Sequence, residues 1–275
     1  MTIPALDIHP RPAIITKPQS QPDREWARQA IQVIRAEANR QGQTNLIKLK
    51  LPGFRYVDMY LKDESAHASG SLKHRLAQSL FLWGICSGKI GSESTIIECS
   101  SGSTAISEAY FANLLSLNFK AIIPKCTAQR KIHEIEYYGG TCVLVEPHEI
   151  YEAATRYAGG ADCYFMDQFT FAERATDWRG VNNIAAAIFE QMKAERCPEP
   201  DWIVVGAGTG GTSTTIGRYL RYSNDGSSTR LCVVDPENSV LFDHFKTRKP
   251  NLVSAYPSRI EGIGRPRVEP SFFPE

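Results

Sequence analysis

Hydrophobic positions along this chain follow two different periods, and the change from one to the other marks its elements. Short apolar runs rich in β-branched residues, such as TIIEC at 95–99 and KAIIP at 120–124, predict buried strands. Residues 23–41 instead repeat their apolar positions at helical spacing and are followed by Gly42. This segment is predicted to be an amphipathic helix whose apolar face carries Trp26, Ala30, Ile31, Ile34 and Ala38.

Strands and helices alternate regularly after that first helix. Strands are predicted at 57–61, 95–99, 120–124, 141–145, 163–167, 202–205 and 231–235, and helices from about Ser71 and Ser103 and over 127–138, 149–157, 182–192 and 212–220. Such alternation is typical of parallel sheets covered by helices on both faces. We interpret the polar run from Phe169 to Arg179 as the link between two sheets. The predicted fold is therefore α/β, with two lobes and a cleft between them.

Charge and composition narrow the choice of ligand. The 275 residues include 31 Lys and Arg against 30 Asp and Glu, so the formal net charge is +1. This balance provides no excess of positive charge that would attract a nucleic acid or an anionic membrane, and it favours a small-molecule ligand. The start lacks the pattern of a signal peptide, and no run approaches the ~18 apolar residues of a spanning helix. We expect a cytoplasmic protein with no membrane partner.

Cysteines and histidines give no sign of a disulfide framework or a metal site. The seven cysteines are scattered without a C-x-x-C pair, and the six histidines show neither H-x-x-x-H nor H-E-x-x-H spacing. Reduced thiols that act as small buried hydrophobes fit this pattern. We therefore expect no bound metal ion.

A glycine-rich loop follows the strand that begins at Trp202. The segment WIVVGAGTGGT places glycines in a G-x-G-x-x-G pattern between a predicted strand and a predicted helix, which is the context of a dinucleotide site. The next strand ends in Asp235, where such a site carries its acidic ribose ligand. The alternative is a cradle for a smaller phosphate group. On the loop alone, both interpretations stay open.

An unusually placed lysine opens the helix that follows residues 69–71. Lys73 lies just inside the predicted first turn, after Ser69, Gly70 and Ser71. The backbone dipole disfavours a cation there by a few tenths of a kcal/mol, and that field lowers the amine pKa, as burial also would. A neutral lysine is a nucleophile that can form a Schiff base. The alternative is a solvated lysine whose stem covers the helix end.

A second turn, in ECSSGSTAISEAYFA, follows the strand at 95–99 and opens another helix. Hydroxyl groups and free backbone N–H groups at a helix N-terminus can bind an anion such as a carboxylate. An ordinary helix cap is the alternative. The two turns and the glycine loop make three strand–turn–helix sites of this kind in one chain, which favours a shared ligand site.

Five motifs in this order carry a family resemblance. They are Gly70-Ser71-Leu72-Lys73-His74-Arg75, Ser101-Gly102-Ser103-Thr104, Gln168-Phe169, Gly208-Thr209-Gly210-Gly211-Thr212 and Gly262-Ile263-Gly264. The chain resembles the fold type II pyridoxal-phosphate enzymes of the cysteine synthase and cystathionine β-synthase family over roughly residues 44–270. Within that family it most closely resembles the bacterial L-cysteine desulfhydrase branch, through stretches such as DQFTFAERATDWRG and VVDPENS.

The resemblance implies a role for each motif. It implies a Schiff base between Lys73 and pyridoxal 5′-phosphate, and it makes the freed amine the general base. The residues implied to bind the cofactor are Lys73, Ser103, Gly208, Thr209, Gly210, Gly211, Thr212 and Gly264. The residues implied to bind the substrate carboxylate are Ser101, Gly102, Thr104 and Gln168. Ser103 departs from the family, which has an asparagine at this position, and the phosphate loop then replaces the dinucleotide interpretation.

The resemblance also implies an activity. β-Elimination of L-cysteine gives sulfide, pyruvate and ammonia. The alternatives are β-replacement of the cysteine synthase type, from O-acetylserine and sulfide, and a shortened homologue that binds cofactor or a partner without turnover.

The architecture implied is the tryptophan synthase β-like fold of a homodimer. Residues 1–75 and 173–275 are expected to form the larger lobe, which holds the phosphate, and residues 76–172 the smaller lobe, which holds the substrate carboxylate. Because the family continues beyond the Gly262–Gly264 motif, we expect the larger lobe to be incomplete at its C-terminus. Weak cofactor retention or dependence on a partner would follow.

Overall fold

The structure is a computed structural model that describes residues 21–100, 102–180, 183–222, 228–256 and 258–272. Its helices are α1 Gln21–Gln41, α2 Lys73–Cys86, α3 Ser103–Leu114, α4 Gln129–Tyr137, α5 Ile150–Ala158, α6 Gln168–Ala175, α7 Ile184–Met192, α8 Gly211–Tyr222 and α9 Leu241–Thr247. Its strands are β1 Asn45–Leu49, β2 Met59–Asp63, β3 Thr95–Glu98, β4 Asn118–Pro124, β5 Thr141–Val145, β6 Cys163–Phe165, β7 Trp202–Gly206 and β8 Arg230–Val234.

The largest sheet has four parallel strands in the order β5-β4-β3-β6. Its central strands are buried on both faces: Ile96 and Ile97 are adjacent and point to opposite sides, yet neither is exposed to solvent. Ile122 and Ile123 repeat this pattern on β4. Burying one such side chain contributes about 2 kcal/mol to stability. The continuous apolar runs of these strands are thus explained by helices on both sides of the sheet.

Two smaller sheets lie outside this one. Strands β1 and β2 pair antiparallel, whereas β7 and β8 pair in parallel. Apolar residues of α7, α8 and β7 form one core cluster, against which side chains of β1, β2 and β8 pack. A separate cluster joins α1 to α2, α3 and the β3–β4 sheet. The predicted helices are confirmed, and six of the seven predicted strands are parallel as expected. The strand predicted at 57–61 instead pairs antiparallel with β1, and the fold is α/β.

Three elements were missed by the sequence interpretation, namely β1, α6 and α9. The expected polar link from Phe169 to Arg179 is wrong over most of its length, because Gln168–Ala175 is helical. This helix has only eight residues, which is too short for a convincing period, and its buried residues Ala172 and Ala175 join the core cluster of α2 and α3. Tertiary packing therefore stabilises a helix that the local sequence pattern did not predict.

The expectation that the cysteines are buried is wrong for part of the set. Cys99 is buried, but Cys86, Cys126 and Cys197 are exposed, and all seven thiols are free. Among the residues described, no helix combines the length and the apolar character that crossing a bilayer requires.

A buried ion pair fixes the start of α2. The guanidinium of Arg75 donates to both carboxylate oxygens of Glu64, at 2.6 and 3.0 Å, and Thr44 and His67 bond to the same carboxylate. Burial alone would raise the pKa of Glu64, but these hydrogen bonds from His67 and Arg75 lower it to about 2. The carboxylate therefore links the segment before the lysine turn to the helix that begins at Lys73.

Glu64→Ala is expected to lower the free energy of unfolding by about 3 kcal/mol, because it leaves a buried guanidinium without its counter-charge. The pKa of Glu64 is about 2 in the folded chain against an ordinary value of 4.5, so its contribution is present above pH 4.5 and is lost as the pH falls towards 2. Urea unfolding between pH 7 and 2 measures both effects. Glu237→Ala, which breaks the exposed pair with Arg259, is the control and should change little.

Candidate active site

The lysine turn has a backbone shape that depends on glycine. Gly70 adopts a φ of +73°, which side chains disfavour, and its N–H donates to the His67 carbonyl at 2.7 Å. The chain then enters α2, with the N–H of Lys73 donating to Ser71 Oγ at 3.2 Å. Lys73 is the first residue of the helix, as predicted.

The amine of Lys73 has no counter-ion. Within the described part of the chain its Nζ has no hydrogen bond and no ion pair, and burial lowers the pKa of the amine. The residue is only half-buried overall because its side chain opens onto a cavity. A desolvated amine at the positive end of a helix is held towards its neutral, nucleophilic form.

The helix start is supported from behind by His74. This side chain is 3% exposed and stacks on His67. Gln41 donates to its Nε2 at 3.1 Å, which leaves Nδ1 to donate to Ser69 Oγ at 2.9 Å. Burial lowers the pKa of His74 to about 3. The imidazole is neutral at physiological pH and holds the lysine turn in place.

The serine–threonine turn begins α3 and reaches the start of α6. Thr104 Oγ1 donates to the side-chain carbonyl of Gln168 at 2.7 Å, and both residues are buried. The backbone N–H groups of Ser103 and Thr104 have no acceptor among the described residues. Gly102 precedes the helix, and Ser101 lies outside the residues that the structure describes. Free donors at this helix terminus suit a carboxylate.

The glycine–threonine loop, residues 208–212, connects β7 to α8. Gly210 adopts a φ of +85°, and a Cβ there would lie 2.9 Å from Phe272 Cα. The N–H groups of Gly208, Gly210 and Thr212 have no acceptor within the described residues. The loop is thus a set of free donors at the N-terminus of α8, which is a cradle for an anion.

The Gly262–Gly264 segment packs directly on this loop. The Gly264 N–H donates to the Ala207 carbonyl at 2.6 Å, and a Cβ on Gly208 would lie 2.7 Å from the Gly262 oxygen. Gly264 itself has a φ of +74°. The two backbones approach so closely here that position 208 has no room for a side chain.

One cavity of about 910 Å³ brings most of these residues together. Its lining includes eight of the site residues identified from the sequence: Lys73, Gly102, Ser103, Thr104, Gln168, Gly208, Thr209 and Gly264. Gly211 and Thr212 line an adjacent cavity of about 630 Å³ that shares Lys73 and Thr209 with the first. Gly210 lines neither, and Asp235 lies in a third cavity, where it accepts from the Phe242 N–H at 2.8 Å.

The donor set fits pyridoxal phosphate better than a dinucleotide. An amine whose pKa is lowered by burial lies in the same cavity as part of a cradle of free N–H groups, so the aldehyde and the phosphate monoester of one ligand can be held there together. Asp235 is directed to a different cavity and is not available as a ribose ligand. Cys99 lines the first cavity, but burial raises the pKa of its thiol, which therefore stays protonated.

Two buried carboxyl groups beside this cavity were missed by the sequence interpretation. Glu98 and Glu108 are both fully buried. The only sequence signal was a glutamate at the end of the otherwise apolar run TIIEC. They do not form part of a metal site, since the described residues contain no group of three His, Cys, Asp or Glu that could hold a metal ion.

An α/β fold with a desolvated lysine facing an anion cradle across a cleft defines a pyridoxal-phosphate enzyme of fold type II. The chain belongs to the family described as "Pyridoxal-phosphate dependent enzyme", whose model matches residues 38–274.

Individual relatives agree with this assignment. The chain is 54% identical to L-cysteine desulfhydrase Cds1 of Mycobacterium tuberculosis over 256 residues, which cover 91% of this chain and 69% of the relative. It is 29% identical to a cysteine synthase of Dictyostelium discoideum over 215 residues, 75% of this chain and 54% of the relative. A hydrogen sulfide-producing enzyme of Fusobacterium nucleatum shares the fold, with a TM-score of 0.72 at 21% identity, over 89% of this chain and 75% of that one.

Gly210→Ala is expected to weaken pyridoxal phosphate binding by about tenfold, because the displaced loop would misdirect its N–H donors. The added methyl group would meet Phe272 backbone at 2.9 Å, as well as adopt a disfavoured φ. Gly42→Ala is the matched control, since its φ is +62° but nothing lies within 4 Å of the new Cβ. It should cost about 1 kcal/mol of stability and leave binding unchanged. Equal binding losses in the two variants would contradict the packing argument. Fluorescence titration with the cofactor measures the affinities.

Proposed function

We propose that this protein is a pyridoxal-phosphate-dependent L-cysteine desulfhydrase, which converts L-cysteine and water to sulfide, pyruvate and ammonia. The observation that carries the proposal is the 54% identity to L-cysteine desulfhydrase Cds1 over 91% of this chain. The cavity that contains Lys73, Thr104 and Gln168 supports it, because it combines an amine of lowered pKa with donors for a carboxylate.

The cofactor is proposed to be held at both ends of its length. Lys73 would hold its aldehyde carbon, while the loop from Gly208 to Thr212 would hold its phosphate with backbone N–H groups and the hydroxyls of Thr209 and Thr212. Ser103 is exposed to the cavity and would face the ring, with Gly264 closing the opposite side. When bound, pyridoxal phosphate withdraws electrons from the substrate α-carbon and so makes its proton acidic.

The substrate carboxylate is proposed to bind at the N-terminus of α3. The free N–H groups of Ser103 and Thr104 supply donors there, and Ser101 and Gly102 belong to the same turn. The hydroxyl of Thr104 donates to the side-chain carbonyl oxygen of Gln168. The amide nitrogen of Gln168 would therefore be free to donate to the substrate carboxylate. Orienting the carboxylate in this way sets which bond at the α-carbon faces Lys73.

The α-proton is proposed to move to the amine of Lys73. Burial lowers the pKa of that amine, and no described residue supplies a counter-ion, so both effects favour the basic form. Departure of the thiol group from the β-carbon then releases sulfide, and water completes the conversion to pyruvate and ammonia. The protonated Cys99 thiol, which lines the same cavity, does not compete as a nucleophile.

β-Replacement is the second candidate, and the cysteine synthase relative at 29% identity favours it. In that reaction an incoming sulfide would add to the β-carbon after O-acetylserine has lost acetate. The same lysine and carboxylate site would serve both reactions. The difference lies in whether the enzyme releases or captures the product of elimination, which depends on closure of the cleft.

The lobes predicted from the sequence are proposed to close over this cleft. All four strands of the largest sheet lie within residues 76–172, and β7 and β8 lie within 173–275, which supports that division for the strands. Helix α1, which the division assigns to the larger lobe, instead packs against α2, α3 and the β3–β4 sheet. A homodimer in the cytoplasm is also proposed, on the family resemblance and on the seven free thiols. Light scattering of the purified protein tests the dimer.

Product analysis distinguishes the two reactions. We expect sulfide and pyruvate in equal amounts from L-cysteine, and little L-cysteine from O-acetylserine plus sulfide. Lys73→Ala should abolish sulfide release and the visible absorbance of the lysine-bound cofactor, because no other described residue offers a partner-free amine in the cavity. Cysteine formation as the faster reaction would reverse the order of the two candidates.

Thr104→Val removes the hydroxyl that orients Gln168 while preserving side-chain size. We expect the KM for L-cysteine to rise about tenfold, the effect of one lost hydrogen bond in a buried site. The cofactor spectrum should stay unchanged, since the Thr104 hydroxyl donates to Gln168 and not to the lysine turn or the phosphate loop. Steady-state kinetics measure the effect, and an altered spectrum with unaltered KM would contradict the assignment. Thr155→Val, an exposed helical threonine, is the control.

A further inference from the structure

Glu98 ties together two segments that are 70 residues apart in the chain. It is the last residue of β3 and is fully buried. Its Oε1 accepts the N–H of Cys99 at 2.7 Å, and its Oε2 accepts the N–H of Gln168 at 3.2 Å. One carboxylate thus fixes both the approach to the serine–threonine turn and the first residue of α6.

Glu108 lies opposite, on α3, and is also fully buried. Neither of its oxygens has a hydrogen-bond partner among the described residues, and the Glu98 carboxyl is its electrostatic neighbour. Asp167, Cys99 and Tyr164 are the other titratable groups that face this pair, and each is neutral or acidic. No described lysine, arginine or histidine forms an ion pair with either glutamate.

Two carboxyl groups in such a place cannot both be ionised, because no cation balances them and burial penalises each charge. Burial raises the pKa of Glu98 to about 7 and that of Glu108 well above its ordinary value. The two backbone N–H groups stabilise the charged form of Glu98, whereas Glu108 has no donor. The proton of the pair therefore belongs on Glu108.

The hydrogen bonds of Glu98 continue into the proposed substrate site. Gln168 is held through its backbone by Glu98 and through its side chain by Thr104. Thr104 lies on the same turn as the free N–H donors of α3. A movement of Glu98 would therefore change the separation between Gln168 and the turn, and both line the cavity.

We propose that Glu98 is a positioning residue for the substrate carboxylate, which sets the distance between Gln168 and the α3 turn, and that Glu108 is its protonated, neutral neighbour. This inference rests on the proposed function, because it assigns these donors to an amino-acid carboxylate.

A glutamine cannot replace Glu98 in this role. Its side-chain oxygen could accept one of the two N–H groups, but its NH₂ group would face the other, donor against donor. At position 108 the same substitution is conservative, since the amide has the shape of a protonated carboxyl group and is likewise uncharged. Glu98→Gln and Glu108→Gln are therefore a matched pair, with the same chemical change and opposite expected results.

The test measures substrate binding and backbone protection separately. In Glu98→Gln holoenzyme, we expect the KM for L-cysteine and the dissociation constant of L-alanine, an amino acid without a leaving group, to rise about tenfold. Binding of ethylamine, which lacks a carboxylate, should change less than twofold. In the cofactor-free protein, hydrogen exchange at the amides of Cys99 and Gln168 should become about tenfold faster. Glu108→Gln should match the wild type in all four measurements.

Several results would overturn the inference. They are unchanged exchange at both amides in Glu98→Gln, an equal loss of ethylamine and L-alanine binding, or a Glu108→Gln variant as impaired as Glu98→Gln. If Glu98→Gln does not fold, Glu98→Asp, which keeps the charge on a shorter side chain, is put through the same measurements. Failure of both to fold makes Glu98 a residue of the fold alone. A wild type that binds L-alanine but releases no sulfide from L-cysteine would instead refute the desulfhydrase function.

Discussion

The chemistry proposed for this protein depends on burying a lysine amine without giving it a counter-ion. An uncompensated charge is expensive to desolvate, so the pKa of Lys73 is lowered and its neutral form is favoured, which is the form that the proposed nucleophile and base requires. The Glu64–Arg75 ion pair and the neutral His74 lie immediately behind the lysine, where each satisfies its partners and leaves none for the amine.

The positive ends of four helices converge on the same cleft region. Helices α2, α3, α6 and α8 begin at Lys73, Ser103, Gln168 and Gly211, and each of these residues lines one of the two adjoining cavities. This arrangement favours anions and disfavours cations for one reason, the field of the unpaired N–H groups. A substrate carboxylate, a phosphate group and a neutral lysine are therefore mutually compatible there, whereas a protonated lysine is not.

Two buried acids, Glu98 on β3 and Glu108 on α3, lie next to this site. Such a pair is costly for stability, and an apolar replacement would often fold as well. In return, Glu98 holds two backbone segments in place through the N–H groups that it accepts, one just before the serine–threonine turn and one at the start of α6. The cavity thus has the Lys73 amine without a described counter-ion on its wall and a buried carboxyl pair behind Gln168, and burial shifts the pKa of all three groups.

The sequence by itself determined the α/β alternation, the glycine loop and the position of Lys73, because each depends on local periodicity or on residues that a tight turn requires. The family resemblance then suggested a functional role for each motif. Tertiary structure alone decided the short helix α6, the burial of His74 and the pairing of Glu98 with Glu108. These features depend on which distant segments pack together, so desolvation and hydrogen-bond partners, which control the charge of each group, could not be read from neighbours along the chain.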